Sequence, residues 1–129
     1  MKLLDYDATE ADIRNWAFDP DALCEQDWDI CSTGIGHDPL FIELAADENC
    51  PKRGFFLHCL YLLVGDAVRT QGHTALYSHL EALFGRAEAT AKPWLLRWVS
   101  QSRDLIANPG RFNYDHWCRG VLARRAVTG

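Results

Sequence analysis

The segment Cys50–Gln71, with the sequence CPKRGFFLHCLYLLVGDAVRTQ, decides the fold of this 129-residue chain. It is the most apolar stretch of the sequence and lies near its middle. Its apolar residues recur three and four positions apart, which is the spacing of one face of an α-helix. They form a wide stripe of Phe56, Cys59, Leu60, Leu63, Val64 and Ala67. A stripe of this width predicts a central helix that other helices cover on both flanks.

The sequence on both sides of this segment also shows helical periodicity, together with signals for helix boundaries. An acid three residues after a threonine predicts a capping box, and Asp-Pro pairs are typical of helix starts. Glycine and Asn-Pro-Gly are typical of helix ends. The predicted starts are Thr9, Asp19-Pro20, Asp38-Pro39, Cys50-Pro51, Thr74, Pro93 and Asn113, and the predicted ends include Gly72, Gly85 and Asn108.

These boundaries give about seven short helices and no convincing strand pair, so the predicted fold is a single all-α domain over residues 1–129. Short connections favour antiparallel packing of neighbouring helices. Two helix pairs of roughly 35 residues, Asp38–Thr70 and Thr74–Ile106, resemble the stacked hairpins of HEAT or TPR proteins. No repeat consensus accompanies them. The sequence therefore predicts either a hairpin stack of this kind or an irregular helical bundle.

Composition argues against several classes of protein. The five cysteines are an odd number without a C-x-x-C pair, which indicates reduced thiols and a cytoplasmic location. No apolar run approaches the roughly 20 residues of a membrane span. The amino terminus becomes acidic too early for a signal peptide. The cysteines are Cys24, Cys31, Cys50, Cys59 and Cys118.

Charge is distributed very unevenly along the chain. Residues 1–50 contain 13 Asp and Glu against two Lys and Arg, which is a net charge of −11. Residues 51–129 contain five Asp and Glu against 11 Lys and Arg, which is a net charge of +6. Such asymmetry indicates electrostatic recognition of a partner, or alternatively mutual attraction of the two halves.

Each residue that could act in catalysis or metal binding also has a second interpretation, in which it serves only the structure. Cys50 is the one cysteine at a predicted helix start, where Lys52 and Arg53 would lower its pKa and make it reactive. The alternative is a semi-buried residue before a proline. The histidines lack the convergent spacing of a zinc site, so no metal and no cofactor is predicted. The sequence therefore predicts no enzyme, with an enzyme that uses Cys50 or a histidine as the least favoured hypothesis.

The charged residues also have two interpretations each. Pairs such as Asp27 and Asp29, or Asp47 and Glu48, lie in continuous polar runs, which is typical of a solvated acidic face and not of an acid–base pair in an apolar cleft. The second half has arginines interleaved with tryptophans, as in nucleic-acid-binding proteins. These tryptophans lie on apolar helix faces and are predicted to be core residues. With a pI near 5.4, the chain would be repelled by phosphate, so no direct nucleic-acid binding is predicted.

The core of the sequence resembles the small helical immunity proteins of bacterial toxin–immunity pairs. The resemblance covers residues 38–71. It implies a cytoplasmic inhibitor without catalysis that binds one cognate toxin, often a basic nuclease. The residues that carry it are Leu44–Asp47, Cys50–Arg53, Phe56-Leu57, Leu60-Tyr61 and Val64–Arg69.

The first hypothesis for function is therefore a binding protein that neutralises a basic toxin through an acidic helical face, with Trp28 or Phe18 as aromatic anchors. The alternative is a helical-repeat scaffold or adaptor that binds a peptide or protein without an inhibitory role, its charges consumed by internal salt links. Neither hypothesis involves a membrane. The predicted partner-binding residues are Asp19, Asp21, Glu25, Asp27, Trp28, Asp29, Glu43, Asp47 and Glu48.

Overall fold

The computed structural model of the protein describes residues 4, 7–23, 28 and 36–128, with the side chains of 127 and 128 excepted. The described part of the chain is all-α, as predicted, with seven α-helices and no strand. The helices are α1 (Glu10–Ala17), α2 (Asp38–Ala46), α3 (Arg53–Arg69), α4 (Tyr77–Thr90), α5 (Pro93–Ala107), α6 (Tyr114–Cys118) and α7 (Val121–Thr128), with a 3-10 turn at Pro109–Arg111. Among these helices, none has both the length and the apolarity that crossing a bilayer requires.

Helix α3 is the centre of the fold, which confirms the prediction for the Cys50–Gln71 segment. Eleven of its residues are buried, and they include every member of the predicted apolar stripe. Helices α2, α5, α6 and α7 all pack against it. In a repeat stack each hairpin would contact only its neighbours. Here the last two helices return to the middle of the chain, so the architecture is the irregular bundle.

The start of α1 is the capping box that the sequence predicts. The Thr9 side chain accepts a hydrogen bond from the Asp12 N–H, and the Asp12 carboxylate accepts one from the Thr9 N–H. The predicted helix start at Asp19-Pro20 is wrong. Residues 19–22 form a turn, because the Asp19 side chain accepts from the Asp21 N–H and the Asp19 carbonyl accepts from the Ala22 N–H. The turn uses the donors that would otherwise begin a helix.

Helix α3 ends as predicted near Gly72, but the residue in the left-handed conformation directly after the cap is Gln71, with φ of +57°. The Gly72 N–H donates to the Ala67 carbonyl, and the Gln71 N–H donates to the Val68 carbonyl. This pair of bonds is a Schellman motif. The motif places the left-handed residue one position earlier than the sequence suggests, and Gly72 follows it at a φ of +87°.

Two further boundaries differ from the predictions. Gly85 does not end a helix, because α4 continues through it to Thr90. The helix predicted from Asn113 onward is interrupted after Cys118, where Gly120 adopts a φ of +82° and separates α6 from α7. A single glycine therefore has opposite effects in the two places, and only the surrounding packing decides between them.

Close packing of α3 on α6 depends on Gly65. A Cβ atom at this position would lie 2.8 Å from the Trp117 Cβ and 3.3 Å from the Cys118 Sγ. A Cβ atom cannot rotate away, so a side chain at residue 65 would force the two helices apart. Gly85 lies in the middle of α4, and a Cβ atom there would meet no other atom within 4 Å.

We expect Gly65→Ala to destabilise the protein by about 1–3 kcal/mol, because overpacking at a helix contact outweighs the better helix propensity of alanine. The matched control Gly85→Ala should stabilise it by about 0.5–1 kcal/mol, since only the propensity changes. Urea unfolding followed by tryptophan fluorescence measures both free energies. Equal effects of the two substitutions would contradict the close contact between α3 and α6.

Candidate functional site

The described acidic residues of the first half lie in two neighbouring loops and on α2. Asp19 and Asp21 are exposed in the turn after α1, and Asp47 and Glu48 follow the end of α2. Glu43 is exposed on α2 itself. We call these five residues the acidic surface. The other predicted acids, Glu25, Asp27 and Asp29, lie outside the described residues.

Contacts from the segment before α3 bring the two acidic loops together. The Lys52 Nζ donates to the carbonyl of Trp16, at 2.7 Å, and to the carbonyl of Asp19. The same ammonium lies 4.2 Å from the Trp16 ring centroid, in a cation–π contact. The Cys50 thiol donates to the Ala17 carbonyl at 3.6 Å. The loop after α2 is thereby fixed against the carboxyl end of α1.

One member of the acidic surface is neutralised within the first half of the chain. Arg14 forms a two-point pair with Glu43, at 2.9 and 2.8 Å, and also contacts Glu10 at 2.9 Å. Hydrogen bonds from Arg14 hold the pKa of Glu43 below its ordinary value. Glu43 is therefore the least available acid of the surface for a partner, since a partner cation would have to replace Arg14.

Among the described residues, the ion pairs of the second-half bases are mainly with acids of the second half. Lys92 crosses to the first half and lies 3.5 Å from Glu48. Asp19, Asp21 and Asp47 form no ion pair with another described residue. Most of the charge asymmetry in the described ranges is thus left uncancelled. The pairs within the second half are Arg69–Asp66, Arg103–Glu81, Arg103–Glu88, Arg111–Asp104 and Arg119–Asp115.

The two predicted aromatic anchors are in different environments. Phe18 is 48% exposed next to Asp19, where it is available to a partner. Trp28 is only 1% exposed and packs against Trp16, Phe41 and Phe55. The prediction of Trp28 as an anchor is therefore wrong in this structure, because its ring is a core element.

Of the two interpretations of Cys50, the structure supports the structural one, a buried residue before a proline. The residue is 3% exposed and precedes the first turn of α3. Burial raises the pKa of the Cys50 thiol, and this effect exceeds the opposite effects of the Lys52 N–H and of the nearby cations. Burial also raises the pKa of Cys118 to about 11. A thiol with a raised pKa is a poor nucleophile at neutral pH.

A buried Asp38 and an exposed His79 form a contact between α2 and α4 that sequence reasoning missed. The Asp38 carboxyl is 4% exposed, its Oδ2 lies 3.0 Å from the His79 Nε2, and its Oδ1 is buried without a hydrogen-bond partner. Burial raises the pKa of Asp38, and the hydrogen bond to His79 opposes this rise. The Asp-Pro pattern predicted a helix start, which is correct, but it does not show that the carboxylate points inward.

Two cavities lie near the second half of the chain. The larger, of about 440 Å³, is lined by polar groups of α5 and by Trp117, and contains the Asp104–Arg111 pair. The smaller, of about 290 Å³, lies between the first turn of α3 and the first turn of α7. Within the described part of the chain, no three His, Cys, Asp or Glu side chains converge as metal ligands would.

Comparison of the chain with protein-family models, with curated proteins and with solved structures finds no match.

We expect the stability of the protein to depend on pH through Asp38. The folded-state pKa of this carboxyl lies above its ordinary value of 3.8. Its contribution to stability is therefore complete below pH 3.8 and is lost as the pH rises through the folded-state pKa. Relative to Asp38→Asn, which does not titrate, the free energy of unfolding of the wild type should fall as the pH rises from 4 to 7. Urea unfolding at several pH values measures both.

The charged groups that face Asp38 are His79 from α4 and His37 from its own helix end. His79→Gln is the control, because an amide retains a hydrogen bond to Asp38 without titrating. The fall in the free energy of unfolding with rising pH should persist in this variant. If the free energies of unfolding of the wild type and of Asp38→Asn changed with pH in parallel, the burial of the Asp38 carboxylate would not destabilise the protein.

Proposed function

We propose that this protein is a binding protein whose acidic surface receives a basic partner. Its most concrete form is an immunity protein that neutralises a toxin domain such as a nuclease. The observation that supports this proposal is the pattern of ion pairs. Among the described residues, the ion pairs of the second-half arginines are mainly with acids of their own half, and Asp19, Asp21 and Asp47 form no ion pair with another described residue.

Electrostatics favours such a role over a purely solubilising one. Uncancelled charges of one sign on adjacent loops create a local potential that accelerates association with an oppositely charged protein. A basic nuclease carries its cations where nucleic acid binds, because phosphate contacts dominate that affinity. An acidic surface that covers those cations would block the nuclease without any chemistry of its own. The proposal is therefore for a non-enzymatic inhibitor.

The acidic surface also has apolar groups beside it. Phe18 is 48% exposed and Leu23 is 63% exposed, and both flank the turn that contains Asp19 and Asp21. Interfaces combine a desolvated apolar or aromatic anchor with a polar rim. Charged residues around an exposed phenylalanine therefore suit a protein partner better than a small cation. Phe18 remains the proposed aromatic anchor.

The alternative, a repeat scaffold that binds a peptide, is less favoured by the fold. Repeat scaffolds use the extended concave surface that stacked hairpins create. In this bundle, α6 and α7 pack on α3. The alternative depends on internal salt links between the halves, and the pairs seen between described residues are Lys92–Glu48 and His79–Asp38.

The proposal predicts that reversing two acids weakens partner binding. Asp21 and Glu48 are suitable because Asp21 forms no described ion pair and Glu48 only a 3.5 Å contact. A partner captured from the source organism should bind Asp21→Lys/Glu48→Lys about tenfold or more weakly than the wild type. The difference should shrink at high salt, where both charges are screened. Binding kinetics at low and high salt measure this effect.

Asp115→Lys is the matched control, because Asp115 is an exposed acid of the second half, 68% exposed. It should leave binding unchanged. For the toxin hypothesis, the partner expressed alone should arrest growth of a bacterial host, and co-expression of the wild type should restore it. An acidic partner, or a partner that binds the reversed variant equally well, would overturn the acidic-surface proposal. A basic partner without toxicity would overturn only the toxin assignment.

A further inference from the structure

We infer that the larger cavity is a binding site for a small zwitterion, namely an apolar α-amino acid. The cavity has a volume of about 440 Å³, which lies within the usual range for small-ligand sites. It places a carboxylate and a guanidinium side by side, next to an apolar wall. The lining includes Gln101, Asp104, Leu105, Arg111, Trp117 and Leu122.

The end of α5 and the 3-10 turn after it bring the two charges together. Gln101, Asp104 and Leu105 are spaced three and four residues apart, so they lie on one side of α5. In the turn, the Arg111 N–H donates to the Asn108 carbonyl at 2.9 Å, which folds the chain back over the helix end. The Arg111 Nη1 then lies 3.0 Å from each carboxylate oxygen of Asp104. The opposite charges of the lining are therefore adjacent and fixed relative to each other.

The Asp104–Arg111 pair keeps hydrogen-bonding capacity for a ligand. Its contacts use the Nη1 of Arg111, and the Nη2 and Nε of this side chain donate to no described residue. These two nitrogens form a fork that suits a carboxylate. The Asp104 Oδ1 also accepts from the Asn108 Nδ2 at 3.2 Å, whereas the Oδ2 accepts from Arg111 alone among the described residues. Because a carboxylate oxygen can accept two hydrogen bonds, the Oδ2 can receive an ammonium group.

Gln101 adds an oriented amide to the same cavity. Its Oε1 accepts a hydrogen bond from the hydroxyl of the buried Tyr61. The group that Gln101 offers to a ligand is therefore its amide nitrogen, which is a donor and suits a carboxylate. The Tyr61 ring in turn packs against Trp117, with the ring centroids 5.4 Å apart. Tyr61 thus fixes the polar and the apolar side of the cavity relative to each other.

The lining selects a zwitterion over a ligand with one net charge. A lone cation or anion would be attracted by one member of the Asp104–Arg111 pair and repelled by the other. An α-amino acid matches both, with its carboxylate at Arg111 and its ammonium at Asp104. Its side chain would then contact Trp117 and Leu105, which are both buried core residues and give a firm apolar wall. This wall favours an apolar or aromatic side chain.

An NMR titration that follows the backbone and indole N–H resonances tests the site with four probes: L-phenylalanine, N-acetyl-L-phenylalanine, L-phenylalaninamide and glycine. We expect L-phenylalanine to bind with a Kd of about 1 mM or tighter and to shift the indole resonance of Trp117. The other probes lack the ammonium, the carboxylate and the side chain, respectively, so each should bind about tenfold more weakly. Failure of L-phenylalanine to bind, or equal affinity of either derivative, would overturn the proposal.

Two substitutions assign the charges of the ligand to the charges of the cavity. Arg111→Gln should weaken the binding of L-phenylalanine about tenfold and abolish its preference over L-phenylalaninamide, since the carboxylate has lost its partner. Asp104→Asn should abolish the preference over N-acetyl-L-phenylalanine, since the ammonium has lost its partner. A purely structural role of this pair would lower all affinities together and leave both preferences intact, which would contradict the proposal.

Arg119→Gln and Asp115→Asn are the matched controls. These two residues form an ion pair of similar exposure to Asp104–Arg111, and neither lines the larger cavity. Both controls should leave all four affinities unchanged. Losses equal to those of Arg111→Gln and Asp104→Asn would show that net charge alone governs the binding, and would overturn the site. Binding of an amino acid needs no protein partner, so this test and that of the acidic surface succeed or fail separately.

Discussion

The structure depends on the burial of α3. Its apolar residues face in every direction, so no side of the helix can be left to solvent, and α2, α5, α6 and α7 must all pack on it. Burial of one large apolar side chain contributes about 1.5–3 kcal/mol, and this helix buries several. The small residue Gly65 sets how closely α6 can approach. The positions of the other helices follow from this requirement.

A central helix with so few charges also determines where charge can appear. Charged residues must lie on the helices and loops that surround α3, and the sequence places acids before it and bases after it. Among the described residues, ion pairs form mostly within one half of the chain, such as Arg14 with Glu43 and Arg103 with Glu88. Pairing within each half therefore preserves the charge asymmetry of the sequence in the described part of the fold.

The periodicity of the sequence was sufficient to predict the helical class and the central position of α3. Boundaries set by side-chain capping were also predictable, as at Thr9. The failures involve residues whose role depends on distant contacts. Gly85 and Gly120 look alike in sequence, yet only Gly120 lies where the chain must turn toward Arg124 and His58. Charge alone could not reveal that Trp28 is buried, or that burial outweighs the cations near Cys50.

The residue before α3 ties the loop after α1 to the core. The Lys52 ammonium donates to the carbonyls of Trp16 and Asp19 and lies over the Trp16 ring. Trp16 also packs edge-on against Phe55 and Phe56 in the first turn of α3. The position of Asp19 and Asp21 therefore depends on the same burial of α3 as the rest of the fold, so a substitution that loosens this helix would also displace the acidic loop.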